Sequence, residues 1–136
     1  NDIDKYKYPV TEYLTRYLEK MTTGEAQFHY GEEKKIFERT FQFINDNWGE
    51  EAFSGKTAKG TVKNEFVLYY FDGITIPIAS LIDRIIVCKK DEAVVECIDR
   101  IKYGTELRSY NTGSVSGVKS RIRLFTEGVV KVLDGR

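Results

Sequence analysis

FVLYYFDGITIPIASLIDRIIV, residues 66–87, decides the fold, because this stretch is compatible with either strands or a helix. As a hairpin, FVLYYF and ITIPIA form two strands joined by a turn at Asp72 and Gly73. The second limb also alternates in the manner of a strand, at Ile74, Ile76 and Ile78. As a helix, the stretch is a buried apolar segment that bends near Gly73 and Pro77. The residue pattern alone slightly favours the hairpin.

On both sides of this stretch, apolar residues recur at intervals of three and four, which is the spacing of amphipathic helices. The predicted helices span residues 8–21, 32–48, 91–103 and 118–133. Pro9 suits the first turn of the first helix, and Gly49 and Gly104 suit the positions that follow the second and the third. The polar segments at 54–64 and 110–117 contain glycine and are predicted to be loops.

The composition is that of one globular domain. The chain has 136 residues, among them nine Tyr and eight Phe, which is enough bulky apolar material for a core. Its 21 Lys and Arg balance its 21 Asp and Glu, which argues against a generally basic nucleic-acid coat and against a disordered acidic tail. We expect residues 1–136 to form a single domain, and the initial Asn1 suggests a fragment of a longer protein or a removed tag.

The cysteines and the apolar segments bear on the cellular compartment. Cys88 and Cys97 have the spacing of neither a CxxC motif nor a zinc-ligand pair, and two thiols do not make a disulfide framework. We therefore expect both to be buried apolar residues in a reducing compartment. No basic-then-apolar signal pattern appears in the given residues, and charged residues interrupt the most apolar stretch. These features predict a cytoplasmic protein that makes no membrane contact.

No segment carries a strong catalytic signature. His29 is the only histidine and is expected to lie at the surface or beside a helix. Residues 54–57, SGKT, are similar to the end of a P-loop, but Glu50 stands where that motif needs glycine. A flexible lysine-bearing loop, which could still touch phosphate, is the favoured interpretation. The sequence therefore predicts no catalytic residue, no metal ligand and no cofactor, and an independent enzyme is the least favoured class.

The strongest electrostatic signal lies in residues 100–123, where six basic residues and one acid, Glu106, give a net charge of +5. A polar loop in this segment leads into a predicted helix start, where backbone N–H groups, hydroxyls and arginines together can bind phosphate. The candidate nucleic-acid-binding or phosphate-binding residues are Arg108, Ser114, Ser116, Lys119, Arg121 and Arg123. Lys119 and Arg123, four residues apart, can share one helix face, whereas Arg121 cannot point the same way as Arg123. The alternative is an N-capped helix with a solvated basic face.

Two stretches in the first half of the chain resemble motifs of a known family. DIDKYKYPVTEYLTRYLEKM, residues 2–21, resembles a helix of the pattern D-x-x-L…Y-(L/M)-x-K. FERTFQFINDNWGEEAF, residues 37–53, resembles the pattern F-x-x-(A/T)-x-x-x-I-x-x-x-F-G-x-(D/E)-A-F, with Trp48 as the aromatic residue before the glycine.

Two further stretches follow in the order of the same family. Residues 64–79 resemble the helix N…F-E-A-I-S-V-A-L-A, with Phe71 and Asp72 at the Phe-Glu positions. TGSVSGVKSRI, residues 112–122, resembles T-x-S-x-x-x-V-x-x-R-I, with Arg121 at the arginine position. The four stretches together resemble the C-terminal helical region of the GmrSD-type proteins, the bacterial family built on domain-of-unknown-function family 262.

The resemblance implies an all-α fold, an irregular bundle of five to six helices, in which residues 66–79 form a bent helix. Gly73 and Pro77 depart from the helix-forming residues of the family and keep the β-hairpin open as the alternative. The predicted core residues are Leu14, Leu18, Phe37, Phe41, Ile44, Trp48, Phe66, Phe71, Ile82, Ile98, Ile122 and Phe125.

The functional implication of the resemblance is limited, because the chemistry of the family is attributed to an N-terminal ParB-like nuclease or nucleotide-hydrolysing domain. The Asp-Gly-Gln-Gln-Arg motif of that domain is not found in this chain. The resemblance implies a non-catalytic helical domain of a DNA restriction or phage-defence protein. Such a domain would support the nuclease-like domain and could contact the DNA backbone. The alternative is a protein-interaction or oligomerisation module without nucleic-acid contact.

Overall fold

Residues 30–135 are described by the computed structural model of the chain, and they form five α-helices. The helices are α1 Tyr30–Trp48, α2 Leu68–Cys88, α3 Asp91–Lys102, α4 Thr105–Ser109 and α5 Val115–Leu133, and a 3-10 turn at Gly49–Glu51 follows α1. Over this part of the chain the all-α prediction is confirmed. The predicted helix at 8–21, the predicted core residues Leu14 and Leu18, and His29 lie outside the described residues.

The stretch at 66–87 lies almost entirely in α2, so the hairpin interpretation of residues 66–79 is wrong. Pro77 lies inside the helix, where a proline removes a backbone hydrogen bond and costs about 3 kcal/mol. Burial offsets this cost, since a fully buried isoleucine contributes roughly 2 kcal/mol. The isoleucines of one face of α2 are buried at helical spacing, at Ile74, Ile78, Ile82 and Ile85.

Gly73, which made a turn plausible in the sequence, is instead a packing residue. A Cβ at Gly73 would stand 2.8 Å from Cε2 of the buried Phe125 on α5. The absence of a side chain therefore lets α2 and α5 approach closely at this level. These two helices make the most extensive contact of the bundle, while α3 packs on α5 and α1 packs on α2.

The core predictions are confirmed in part. Buried as predicted are Ile44, Ile82, Ile98, Ile122 and Phe125. Partly buried are Phe41, Trp48 and Phe71. The predictions for Phe37 and Phe66 are wrong, because their side chains are 62% and 63% exposed. Helical spacing identifies an apolar face of α1 correctly, since Ile36, Phe41 and Ile44 pack on the core, but Phe37 lies beside Phe41 with its ring largely exposed. Phe66 precedes the start of α2.

Two segments between the long helices have structure that the sequence does not predict. α4 is five residues long, which is too short for a periodic pattern to reveal. The predicted loop at 54–64 is free of helix, but it folds back on itself through a bridge between Lys56 and Val62. Within residues 30–135, no helix is long and apolar enough to cross a bilayer.

Candidate nucleic-acid interface

Ser114 and Ser116 lie at the start of α5, where the sequence predicts a phosphate site. Ser114 is the N-cap residue, because its Oγ accepts a hydrogen bond from the backbone N–H of Gly117 at 3.0 Å. The same Oγ lies 3.3 Å from Oγ of the exposed Ser116. Gly117 is required for this turn, since a Cβ there would collide with the carbonyl oxygen of Asn111. The Ser114 hydroxyl is thus already engaged in the fold.

Arg121 lies inside the molecule, although the sequence places it among the candidate phosphate-binding residues. Its side chain is 2% exposed. Its Nη1 donates to the carbonyl oxygen of Asn111 at 2.8 Å, and its Nη2 donates to that of Thr112 at 3.4 Å. The guanidinium carbon is 5.5 Å from the ring centroid of Tyr69 on α2. Arg121 therefore ties the loop before α5 to the N-terminal end of α2.

Asp72, one helical turn after Tyr69, is buried in the same region. Burial raises the pKa of its carboxyl group from 3.8 to about 6, and the positive charge of Arg121 opposes this rise. The electrostatic influence of Arg121 on Asp72 links a charge of α2 to a charge of α5. At neutral pH both groups are ionised, so the region holds a buried pair of opposite charges.

The remaining predicted residues do not form one cluster. Arg123 is exposed on α5, and Lys119 is half-buried one turn earlier on the same helix. Desolvation and the hydrogen-bonded Glu106 raise the pKa of Tyr110, and nearby Arg123 opposes this rise. Arg108 is exposed on α4, where its charge acts instead on Tyr70. The six sequence-predicted residues are therefore divided among a buried arginine, a helix cap, and exposed positions on two helices.

Lys102 is a buried cation that the sequence analysis did not single out. Its side chain is 0% exposed, and its Nζ donates to the carbonyl oxygens of Ala52 at 2.7 Å and Glu51 at 3.3 Å. Burial lowers the pKa of its ammonium group to about 8, while Asp99 opposes the change and Lys56 adds to it. Lys102 thereby joins the end of α3 to the turn that follows α1.

Residues 55–63 form a turn that carries three exposed lysines, and we call it the lysine hairpin. Backbone hydrogen bonds close it, from Thr57 N to Thr61 O at 2.8 Å and from Lys63 N to Gly55 O at 2.8 Å. Gly60 at its tip has a φ of 83°, which favours glycine. The hairpin is thus a defined turn, where the sequence predicts a flexible loop.

The lysine hairpin lies against the end of α3. Nζ of Lys56 is 4.2 Å from the ring centroid of Tyr103, and Nζ of Lys102 is 5.0 Å from the same centroid. Two ammonium groups from distant parts of the chain therefore share one aromatic ring. The sequence does not predict this arrangement, because Lys56 and Tyr103 come from segments about 50 residues apart that only the fold brings together.

A second notable surface is aromatic. Five rings from α1, α2 and the segment between them form a continuous series, which we call the phenylalanine surface: Phe37, Phe41, Phe53, Phe66 and Phe71. Neighbouring ring centroids in this series are 4.7 to 6.3 Å apart. Its two ends, Phe37 and Phe66, are largely exposed. The surface is therefore partly packed on the core and partly open to solvent.

A surface cleft of about 700 Å³ lies at the corner between α2 and α3, lined by Ile86 and by mixed charges of residues 89–96. Residues 30–135 contain no group of three His, Cys, Asp or Glu side chains that could hold a metal ion. Comparison of the chain with protein-family models, with curated proteins and with solved structures finds no match.

Proposed function

We propose that this chain is a non-catalytic helical domain of a GmrSD-type DNA restriction or phage-defence protein, and that it supports the nuclease-like domain of that protein. The proposal is carried by the buried Asp72 and Arg121. These are the charged residues at the Glu and Arg positions of two separate family-like motifs, one in α2 and one in α5. Arg121 lies over the ring of Tyr69, one helical turn before Asp72, and its charge acts on the Asp72 carboxyl group, so the two motifs meet in the folded chain.

The other positions of the last motif have structural roles that agree with this interpretation. Ser114 caps α5, and Val118 and Ile122 are buried. Together with Arg121 they fix the loop and the start of α5 against the bundle. A motif with these roles specifies a scaffold, which is what a supporting domain requires.

The phenylalanine surface is the face proposed to contact the nuclease-like domain. Contiguous exposed aromatic rings are uncommon on monomeric proteins and are enriched at the centres of protein interfaces. Phe37 and Phe66 are largely exposed, while Phe41 and Phe53 pack on the core and Phe71 packs on Phe53. Such a surface offers apolar area at a low cost in side-chain entropy, since the inner rings are already held.

Phage plating on bacteria that express the complete gene tests this proposal. The wild-type gene is expected to reduce plating of susceptible phages, and Phe37→Ser combined with Phe66→Ser is expected to restore it towards the level of gene-free cells. Val87→Ser is the matched control, because Val87 is an apolar residue that is 78% exposed on the opposite end of α2. Circular dichroism of the chain establishes that the variants fold. Absence of protection by the wild-type gene, or full protection by the double variant, would contradict the proposal.

A second candidate function is contact with the DNA backbone through Lys119 and Arg123. The observation that favours it is their spacing of four on α5, with Arg123 exposed and Lys119 half-buried. Lys119→Ala with Arg123→Ala is then expected to weaken binding to labelled duplex DNA. The salt dependence is expected to fall by about 0.9 in slope for each lost phosphate contact. Fluorescence anisotropy at three salt concentrations measures both effects, and an unchanged slope in the double variant refutes this role.

A further inference from the structure

Among the described residues, three elements bring cations towards the neighbouring rings of Tyr103 and Tyr70. The lysine hairpin contributes Lys56, Lys59 and Lys63, α3 contributes the buried Lys102, and α4 contributes Arg108. These residues come from two distant parts of the sequence. Lys56 and Lys102 lie over one ring, and Nζ of Lys102 is also 5.2 Å from the ring centroid of Tyr70, on which the charge of Arg108 acts.

The geometry points to a contact surface for the phosphodiester backbone of nucleic acid, formed by the lysine hairpin together with Arg108. This inference is independent of the proposed docking role of the phenylalanine surface. It also differs from the second candidate function, because it moves the nucleic-acid contact from α5 to the hairpin.

Helix stabilisation does not account for the hairpin lysines. Basic residues in the last turn of a helix interact favourably with its dipole, which explains Lys102 and Arg108 in structural terms. Lys56 and Lys59 belong to a turn without a helix. The turn is held by Ser54 Oγ, which donates to the carbonyl of Glu65 at 2.9 Å. A defined turn that displays cations, with small and hydroxyl residues between them, suits approach to an anionic polymer.

Residues 55–65 themselves carry three lysines and one acid, Glu65. Glu65 lies 3.9 Å from Nζ of Lys63, in an exposed pair that contributes little. Glu51 and Asp99 act on Lys102, and Asp99 also accepts a hydrogen bond from Trp48 Nε1 at 2.8 Å.

The like charges of Lys56 and Lys102 are held close together by the fold. Lys102 binds neutral carbonyl oxygens, so no carboxylate neutralises it by direct contact within the described residues. Lys56 remains exposed on the solvent side of the same tyrosine. Like charges held in this way repel one another in the free protein, and a phosphate group bound beside Lys56 relieves that repulsion.

Fluorescence anisotropy with labelled duplex DNA at three salt concentrations tests the inference, and a single-stranded DNA of the same sequence shows which form the surface prefers. The variant Lys56→Ala with Lys59→Ala is expected to weaken binding and to reduce the salt slope by about 0.9 for each lost contact. Lys35→Ala with Lys131→Ala is the matched control, since it removes the same charge from exposed positions elsewhere. The charge reversal Lys59→Glu at the hairpin tip provides a second variant that spares the Lys56–Tyr103 contact.

The comparison with the α5 variant decides between the two surfaces. The inference is supported if the hairpin variants show a smaller salt dependence of DNA binding, while the control and Lys119→Ala with Arg123→Ala change little. Loss in the α5 variant alone, or equal loss in the control, overturns it. Absence of salt-dependent binding by the wild-type chain overturns both nucleic-acid roles, whereas the docking proposal is judged separately by phage plating.

Discussion

At the scale of single residues, two cations behave differently from the expectation for charged side chains. Arg121 and Lys102 are buried, and each donates to two backbone carbonyl oxygens and lies over a tyrosine ring. The sequence marks both as ordinary members of a basic segment, because nothing local shows that distant carbonyl groups will meet them. Their burial depends on the loops at 51–52 and 111–112, which only the folded chain brings into place.

The raised pKa of Asp72 predicts a pH dependence of stability. The folded-state pKa of about 6 lies above the ordinary 3.8. Between pH 3.8 and 6, Asp72 therefore keeps its proton in the folded state but has lost it in the unfolded state. The free energy of unfolding is therefore expected to fall as pH rises from 4 to 6, by up to roughly 3 kcal/mol. Urea unfolding of the wild type and of Asp72→Asn at several pH values measures this. The quantity compared is the free energy of unfolding of the wild type minus that of Asp72→Asn, which is expected to fall as pH rises. A value that stays constant or rises with pH would contradict the raised pKa of Asp72.

At the scale of elements, the sequence specifies most helices and leaves one stretch ambiguous. Periodic apolar residues predict α1, α3 and α5 to within a few residues, since their patterns extend over several turns. Residues 66–87 are apolar on nearly every side, so the pattern cannot separate a buried helix from strands. Gly73 and Pro77 favour a turn in the sequence, but a helix forms there. Gly73 allows the close approach of Phe125, and the isoleucines of one face become buried.

The shape of the lysine hairpin is a second feature of an element that the sequence does not predict. Its polar composition predicts a loop correctly, but the backbone hydrogen bonds that define its shape join residues that carry no strong turn motif. Its contact with Tyr103 also depends on the register of α3 against the turn that follows α1. The sequence therefore identifies the lysines as available to phosphate but not the surface that they form.

At the scale of the whole molecule, the described bundle places an aromatic and a basic surface next to each other, because the segment between α1 and α2 contributes to both. The phenylalanine surface lies along α1, α2 and the segment between them, and the lysine hairpin meets the end of α3. The sequence-predicted basic segment is divided by the fold, because two of its six cations become internal. Basic residues that are close together in the sequence are therefore placed in different parts of the fold, some buried and some exposed.

The most direct test of the central claim is a double-mutant cycle between Asp72 and Arg121. The proposed function rests on these two residues acting as one unit that joins the family-like motifs of α2 and α5. Urea unfolding of Asp72→Asn, Arg121→Met and the double variant at pH 7.5 gives their coupling free energy. We predict a coupling of about 1 to 3 kcal/mol, because either single change removes an opposite charge that acts on the buried group that remains. The coupling is expected to shrink at pH 5, where Asp72 is largely protonated. Free energies that add to within about 0.3 kcal/mol at pH 7.5 would contradict the account.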